Sequence, residues 1–124
     1  MAKYAADEVM DAALQYIINH STRLIVCSSQ PANFAAVAAA SLADVTVDSG
    51  DFAIANGDVS GRKVTVAQQS AIPIDSSGTA THVVLVNDTS PEMVTYVTTC
   101  TSQSLTAGGT VTVPAWDIEI ADPT

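Results

Sequence analysis

The stretch GTATHVVLVND, residues 78 to 88, sets a histidine among valines and so raises the question of catalysis. A histidine works as a general base, or as a metal ligand, where a nucleophile or further ligands lie within reach. No nucleophile with an activating partner is indicated beside His82. We therefore expect His82 to be a structural residue of a strand, with one ring nitrogen bonded to a backbone carbonyl or to water.

The two cysteines also lack the sequence context of a metal site or of a catalytic nucleophile. His20 and Cys27 are seven residues apart, Cys100 is distant, and no C-x-x-C or H-x-x-x-H spacing occurs, so we expect no zinc site. A thiolate nucleophile needs an electropositive setting, which an acidic chain does not favour. We expect free thiols, although one disulfide is also compatible with two cysteines. His20 is expected at a helix C-terminus, where its ring can meet the last carbonyl groups.

The aspartates are concentrated in predicted turns. The turn residues are Asp44, Asp48, Asp51, Asp58, Asp75 and Asp88. Asp and Asn favour turns through side-chain bonds to the backbone, and no loop has the spacing of a calcium site. Asp117 and Glu119 are expected on a solvated strand face. No G-x-G-x-x-G, P-loop or G-x-S-x-G motif occurs. The sequence thus predicts no catalytic residue, metal site or cofactor, and a protein that is not an enzyme.

The charge balance excludes two classes of partner. Thirteen acidic residues face four basic ones, which gives a formal net charge of −9. The basic residues are Lys3, Arg23, Arg62 and Lys63. Nucleic acids and anionic membranes are bound largely through Lys and Arg, so neither is an expected partner. Apolar residues make up 48% of the chain and charged residues 14%, which favours burial against neighbouring subunits.

The first residues do not resemble a targeting segment. MAKYAADEVMD carries three acidic residues and lacks the basic and continuous apolar regions of a signal peptide. No apolar run approaches the roughly 18 residues of a membrane span. We expect synthesis in the cytoplasm of the producing cell.

The elements that would position these residues can be read from periodicity. Residues 5–19 are predicted to form an amphipathic helix, because apolar side chains recur at i, i+3, i+4 and i+7. Its apolar face consists of Ala6, Met10, Ala13, Leu14, Ile17 and Ile18. TRLIVCS predicts a buried strand, and an alanine-rich helix follows, with Ser29 or Asn33 as its cap and Pro31 near its start.

From Asp44 onward the apolar period is two, which is typical of strands. Turn residues separate several short strands, and the AIPID segment is expected at an edge because Pro73 lacks a donor. In the strand around His82, residues 80, 82, 84 and 86 are predicted to share one face, and both faces are expected to be covered. The fold class predicted is α+β and mainly β, with an antiparallel sandwich or small barrel forming one domain over residues 1–124.

Two segments carry a resemblance to a known group. FAIANGDVSGRKVTVAQQSAIPIDSSGTATHVVLVND and YVTTCTSQSLTAGGTVTVPAWDIEIADP resemble small virion proteins of tailed bacteriophages, most closely the head decoration or cement proteins. The resemblance extends over roughly residues 20 to 124 and consists of low charge, strands of Thr, Ala and Val, and Gly-Asp-Ser turns. It implies a mainly β protein that sits on the capsid exterior of the virion.

The resemblance also implies partners. Decoration proteins bind the major capsid protein, and a homo-oligomer, with a trimer favoured, is the expected state. Aromatic and apolar anchors would supply the affinity. The anchor candidates are Tyr4, Phe34, Met93, Tyr96 and Trp116. The terminal segments, residues 1–8 and 116–124, are expected to reach neighbours. The alternatives are a tail or fibre-associated protein, and a carbohydrate-binding β-domain in which Trp116 or Tyr96 stacks on a sugar.

Overall fold

The computed structural model describes residues 3–123, which are mainly β structure with two α-helices. The elements are α1 (Asp7–His20), β1 (Arg23–Cys27), α2 (Phe34–Ala40), β2 (Ser41–Thr46), β3 (Phe52–Asn56), β4 (Arg62–Val66), β5 (Gln69–Pro73), β6 (Gly78–Asn87), β7 (Met93–Leu105), β8 (Thr110–Val113) and β9 (Trp116–Ile120). Every ladder between these strands is antiparallel. The predicted α+β class, mainly β, is therefore confirmed.

The strands form three sheets. Their orders are β2-β1-β6-β7, β3-β4-β9 and β5-β8. Strand β6 is central in the four-stranded sheet, as its two apolar faces predict. Strand β5 has one ladder partner among the described strands, which agrees with the edge position expected from Pro73.

A large hydrophobic cluster contains buried side chains from all three sheets and from α1. Leu24 and Leu85 face each other between β1 and β6, and Val64 and Ile118 do so between β4 and β9. Leu14 brings α1 into the same cluster. Removing this apolar surface from water supplies most of the favourable free energy of folding.

The other face of the four-stranded sheet is covered by α2. Ile25, Val84 and Val86 on the strands form a second cluster with Val37 and Ala40 on the helix. Strand β1 is thus buried on both faces, which explains why its sequence is a continuous apolar run rather than an alternating one.

Helix α1 begins with Asp7 and Glu8 in its first turn, where carboxylates are favoured by the helix dipole. Its buried residues include Leu14 and Ile18, as predicted. Ala13, however, is exposed, so its assignment to the buried face is wrong. The helix contacts β3, β4 and β7, and its buried residues form the single stripe Met10, Leu14 and Ile18. Neither helix within residues 3–123 combines the length and apolar character that crossing a membrane requires.

Helix α2 is capped by Asn33, whose Oδ1 accepts a hydrogen bond from Ala36 N–H at 3.0 Å. The helix ends at Ala40, and Ser41 begins β2. The predicted strand start at Asp44 is therefore too late. Leu42 and Ala43 are good helix formers, but both are buried in the large cluster beside β1. Tertiary burial overrides their helix propensity here.

The alternation predicted for β6 fails at one residue. Ala80 belongs to the large cluster together with Val83 and Leu85, whereas Val84 lies in the second cluster. The register between β6 and β7 shifts between Ala80 and His82, because β7 inserts extra residues there. A bulge bends and twists the ladder locally, and the change of face in β6 occurs at this irregularity.

Candidate functional site

His82 lies directly opposite Cys27 across the β1–β6 ladder. Directly opposite residues share a sheet face, so a histidine and a cysteine are neighbours in the fold. The ring Nδ1 is 2.8 Å from the Thr81 hydroxyl, a partner that the sequence did not predict. The imidazole ring of His82 is therefore oriented by a hydrogen bond to the preceding residue of the same strand.

Cys27 does not have the properties of a nucleophile. Its side chain is fully buried in the second cluster, and desolvation raises the pKa of its thiol to about 11. Burial also raises the pKa of Cys100, which packs against the large cluster on the other face of the sheet. Both residues are free thiols, as expected. Because the thiolate is the reactive species, neither environment favours covalent catalysis.

A thiol-labelling prediction follows from these two environments. In folded protein at mildly alkaline pH, we expect dithionitrobenzoate to modify the half-buried Cys100 and to leave the buried Cys27 untouched. In a Cys100→Ser variant, labelling should appear only after denaturant is added. Labelling of Cys27 in that folded variant at the rate of a small free thiol would contradict the assignment.

His20 occupies the position that the sequence predicts. It is the last residue of α1, and its Nδ1 lies 2.9 Å from the carbonyl oxygen of Tyr16. The two rings are also stacked, with centroids 3.9 Å apart. A ring N–H donated to that carbonyl satisfies one of the unpaired groups at the helix end.

Arg23 connects three strands of the four-stranded sheet. Its guanidinium pairs with Asp44 of β2 and, through Nε at 3.1 Å, with Asp88 just after β6. Thr22 Oγ1 also donates to Asp88 at 2.6 Å. The Thr22 hydroxyl and Arg23 together lower the pKa of Asp88, while a hydrogen bond to Asp44 raises the pKa of Asp75. The two ion pairs of Arg23 thus connect β1 with both of its neighbouring strands, β2 and β6.

The lowered pKa of Asp88 makes its contribution dependent on pH. A carboxyl whose pKa is depressed in the folded state adds stability above its unfolded pKa of about 3.9, and this is lost as the pH falls through the folded value. Asp88→Asn should therefore lower the free energy of unfolding at neutral pH by about 0.5 kcal/mol after solvent screening, with the difference vanishing in acid.

Urea unfolding midpoints at neutral and acidic pH measure this effect. Asp122→Asn is the matched control, since Asp122 is an exposed carboxyl outside the Arg23 network. An equal loss from Asp88→Asn at both pH values would mean that the ionised form of Asp88 contributes nothing.

Three carboxyl groups converge on the exposed face of β9. Oxygen atoms of Asp58, Asp117 and Glu119 lie within 4.8 Å of one another. Lys63 Nζ donates to Asp58 at 2.7 Å and to Asp117 at 3.2 Å. The Thr65 hydroxyl, and then Lys63, lower the pKa of Asp117. The Lys63 ammonium thus supplies the positive charge for this cluster of carboxylates. Its two hydrogen bonds connect the turn of the β3–β4 hairpin with β9.

The five anchor candidates fall into three places. Phe34 and Met93 line one shallow depression of about 550 Å³ on the α2 side of the sheet. Tyr96 and Trp116 are stacked on each other at 5.9 Å and are partly buried against the large cluster. Tyr4 lies apart in the segment before α1 and is 85% exposed. The terminal residues 1, 2 and 124, which belong to the segments expected to reach neighbours, lie outside the described residues.

Three exposed apolar side chains were not predicted. Val59 in the β3–β4 turn is 99% exposed, and Val9 and Tyr16 on α1 are 64% and 47% exposed. Val9 and Tyr16 could have been found from the sequence, because they are seven residues apart on a helix and therefore share a face. Val59 gives no such pattern.

The chain was compared with protein-family models, curated proteins and solved structures, and none of them matches it.

Proposed function

We propose that the chain is a bacteriophage capsid decoration protein, which binds the outer surface of the capsid and stabilises contacts between major capsid proteins. The observation that carries this proposal is the set of apolar side chains left exposed on a charge-poor body. The set consists of Val9 and Tyr16 on α1 and Tyr4 just before it. Apolar side chains that share one exposed face favour contact with another protein, whereas a single exposed side chain such as Val59 has no such meaning.

A stiff scaffold suits this role. The three sheets share one hydrophobic cluster, and we propose that they form the layers of a β-sandwich. Side chains that could do chemistry are engaged in structural contacts: His82 with Thr81, Lys63 with Asp58 and Asp117. This use supports a protein that works by adhesion rather than by transforming a substrate.

The charge supports assembly on a protein surface. A net charge of −9 disfavours contact with the packaged DNA and keeps free copies apart before assembly. We propose a homo-oligomer, with a trimer favoured, on the capsid exterior of the virion. Several copies held together would multiply the affinity of one small contact.

Binding to purified, expanded shells of the phage that encodes the chain tests the proposal. We expect saturation at a fixed number of copies for each capsomer, and shells that withstand heating better when saturated. Purified tails are the control: binding to tails but not to shells would support the alternative of a tail or fibre-associated protein. Failure to bind either particle would refute a virion role.

The carbohydrate alternative has one observation in its favour. Trp116 lines a cavity of about 180 Å³, and its buried Nε1 has no hydrogen-bond acceptor among the described residues. Its ring, however, packs on Tyr96, which leaves less of the indole for a sugar. A glycan that quenches Trp116 fluorescence would favour this second function.

A further inference from the structure

Helix α1 carries two apolar stripes. Met10, Leu14 and Ile18 are buried against the sheets. The second stripe consists of Val9, Ala12, Ala13 and Tyr16, all of which are exposed. These positions have the i, i+3, i+4, i+7 spacing of a face made for burial. We call this stripe the α1 outer face.

The outer face continues onto the neighbouring strand. The Tyr16 hydroxyl donates to Met93 Sδ at 3.7 Å, and Met93 lines the depression that also contains Phe34. At the centre of the stripe, Ala12 and Ala13 are small, so a partner can approach the helix backbone closely. Val9 and Tyr16 lie at the two ends of the stripe, so their larger side chains would contact both sides of a partner segment that packs on Ala12 and Ala13.

The charged groups around this surface are mainly acidic, and Lys3 is the exception. Asp7 and Glu8 lie in the first turn of α1, and Glu92 lines the depression beside Met93. At the far end, His20 is stacked on Tyr16. Lys3, which precedes the helix, lines a cleft with Asp7.

The remaining cations are already engaged. Within residues 3–123, Arg23, Arg62 and Lys63 each form an ion pair with aspartate. A second copy docked on the outer face would therefore bring like charges together, which costs free energy. A partner with lysine or arginine around its contact would instead be attracted.

We propose that the α1 outer face, together with Met93, is the docking surface for a partner protein that presents apolar side chains ringed by lysine or arginine. This inference rests on the proposed function in that the partner would be the capsid surface. The apolar stripe supplies the affinity. The surrounding carboxylates of Asp7, Glu8 and Glu92 favour a basic partner over an acidic one.

Val9→Asp tests the surface, and Val59→Asp is its matched control. Both changes put a carboxylate in place of an exposed valine, and Val59 lies on a different element. We expect Val9→Asp to weaken shell binding by about tenfold or more, because it puts a charge on one of the two large apolar side chains of the α1 outer face, and Val59→Asp to leave it unchanged. Shell binding by wild type should also weaken as sodium chloride is added. Circular dichroism checks that both variants fold.

A second arm is independent of any phage. The probe is an immobilised helical peptide as long as α1, with a leucine stripe flanked by lysines, and its twin carries glutamates instead. Wild type and Val59→Asp should bind the lysine peptide, whereas Val9→Asp should not, and none should bind the twin. Equal binding to both peptides, or equal binding by both variants, overturns the proposed surface.

The two proposals can fail separately. If wild type binds shells and Val9→Asp binds equally well, the function stands and the surface is wrong. If wild type does not bind shells, the proposed function is refuted, and the peptide experiment alone then tests the docking surface. If sedimentation shows wild type self-associating and Val9→Asp abolishes that association, the occupant is a second copy and the basic partner is wrong.

Discussion

Leu85→Ala should lower the free energy of unfolding by about 3 kcal/mol, because it leaves a cavity in the centre of the large cluster. Leu85 is fully buried on the central strand β6 and lies opposite Leu24 of β1. Neighbours on both sides hold the site open, so it cannot collapse to fill the lost volume. Urea unfolding followed by circular dichroism gives the change.

Val59→Ala is the control for this loss. Val59 is 99% exposed, so its truncation should change the free energy of unfolding by less than about 0.5 kcal/mol. A similar small change for Leu85→Ala would mean that the three sheets do not share one packed core.

Gly61→Ala should destabilise the protein by about 3 kcal/mol through backbone strain and a steric clash. Gly61 has φ +72°, a left-handed conformation that favours glycine. An added Cβ would also lie 1.9 Å from the carbonyl oxygen of Ile120. Since Ile120 pairs with Arg62, relief of the clash must pull β9 away from β4.

Gly108→Ala separates the two causes. Gly108 has φ +91°, but an added Cβ there meets nothing within 4 Å, so its cost of about 1 kcal/mol would report conformational strain alone. The excess loss at Gly61 therefore measures the clash. Equal losses at the two positions would show that β9 yields to the extra methyl group without cost.

Much of the fold could be predicted from local pattern. The continuous apolar run of β1 and the alternation of β9 fixed which side chains are buried, and Trp116, Ile118 and Ile120 do share the inner face. The Asn56-Gly57 pair marked the end of β3 correctly. These patterns are local consequences of side-chain geometry, so tertiary context was not needed to interpret them.

The errors arose where distant contacts override local preference. Ser41 begins a strand because pairing with β1 outweighs the helix propensity of its neighbours. Ala80 changes face beside an irregularity in the ladder with β7, which the sequence of β6 alone does not reveal. Ala13 was assigned to the core since a single sequence cannot say how wide a stripe the sheets will cover. In each case the deciding partner lies far away along the chain.

The polar clusters show the same limit. The carboxylates of β9 were correctly expected on an exposed face, but their convergence with Asp58 depends on β4 lying between β3 and β9. Lys63 then closes the cluster from that middle strand. The charge total indicated an acidic protein, whereas only the fold shows which carboxylates pair with a basic side chain.

Cryo-electron microscopy of the complete virion is the most direct test of adhesion to the capsid. We expect density for this chain on the outside of the head, repeated at fixed lattice positions, with Val9 and Tyr16 facing a basic patch of the major capsid protein. Density in the tail, or a virion that lacks the chain altogether, would contradict that account.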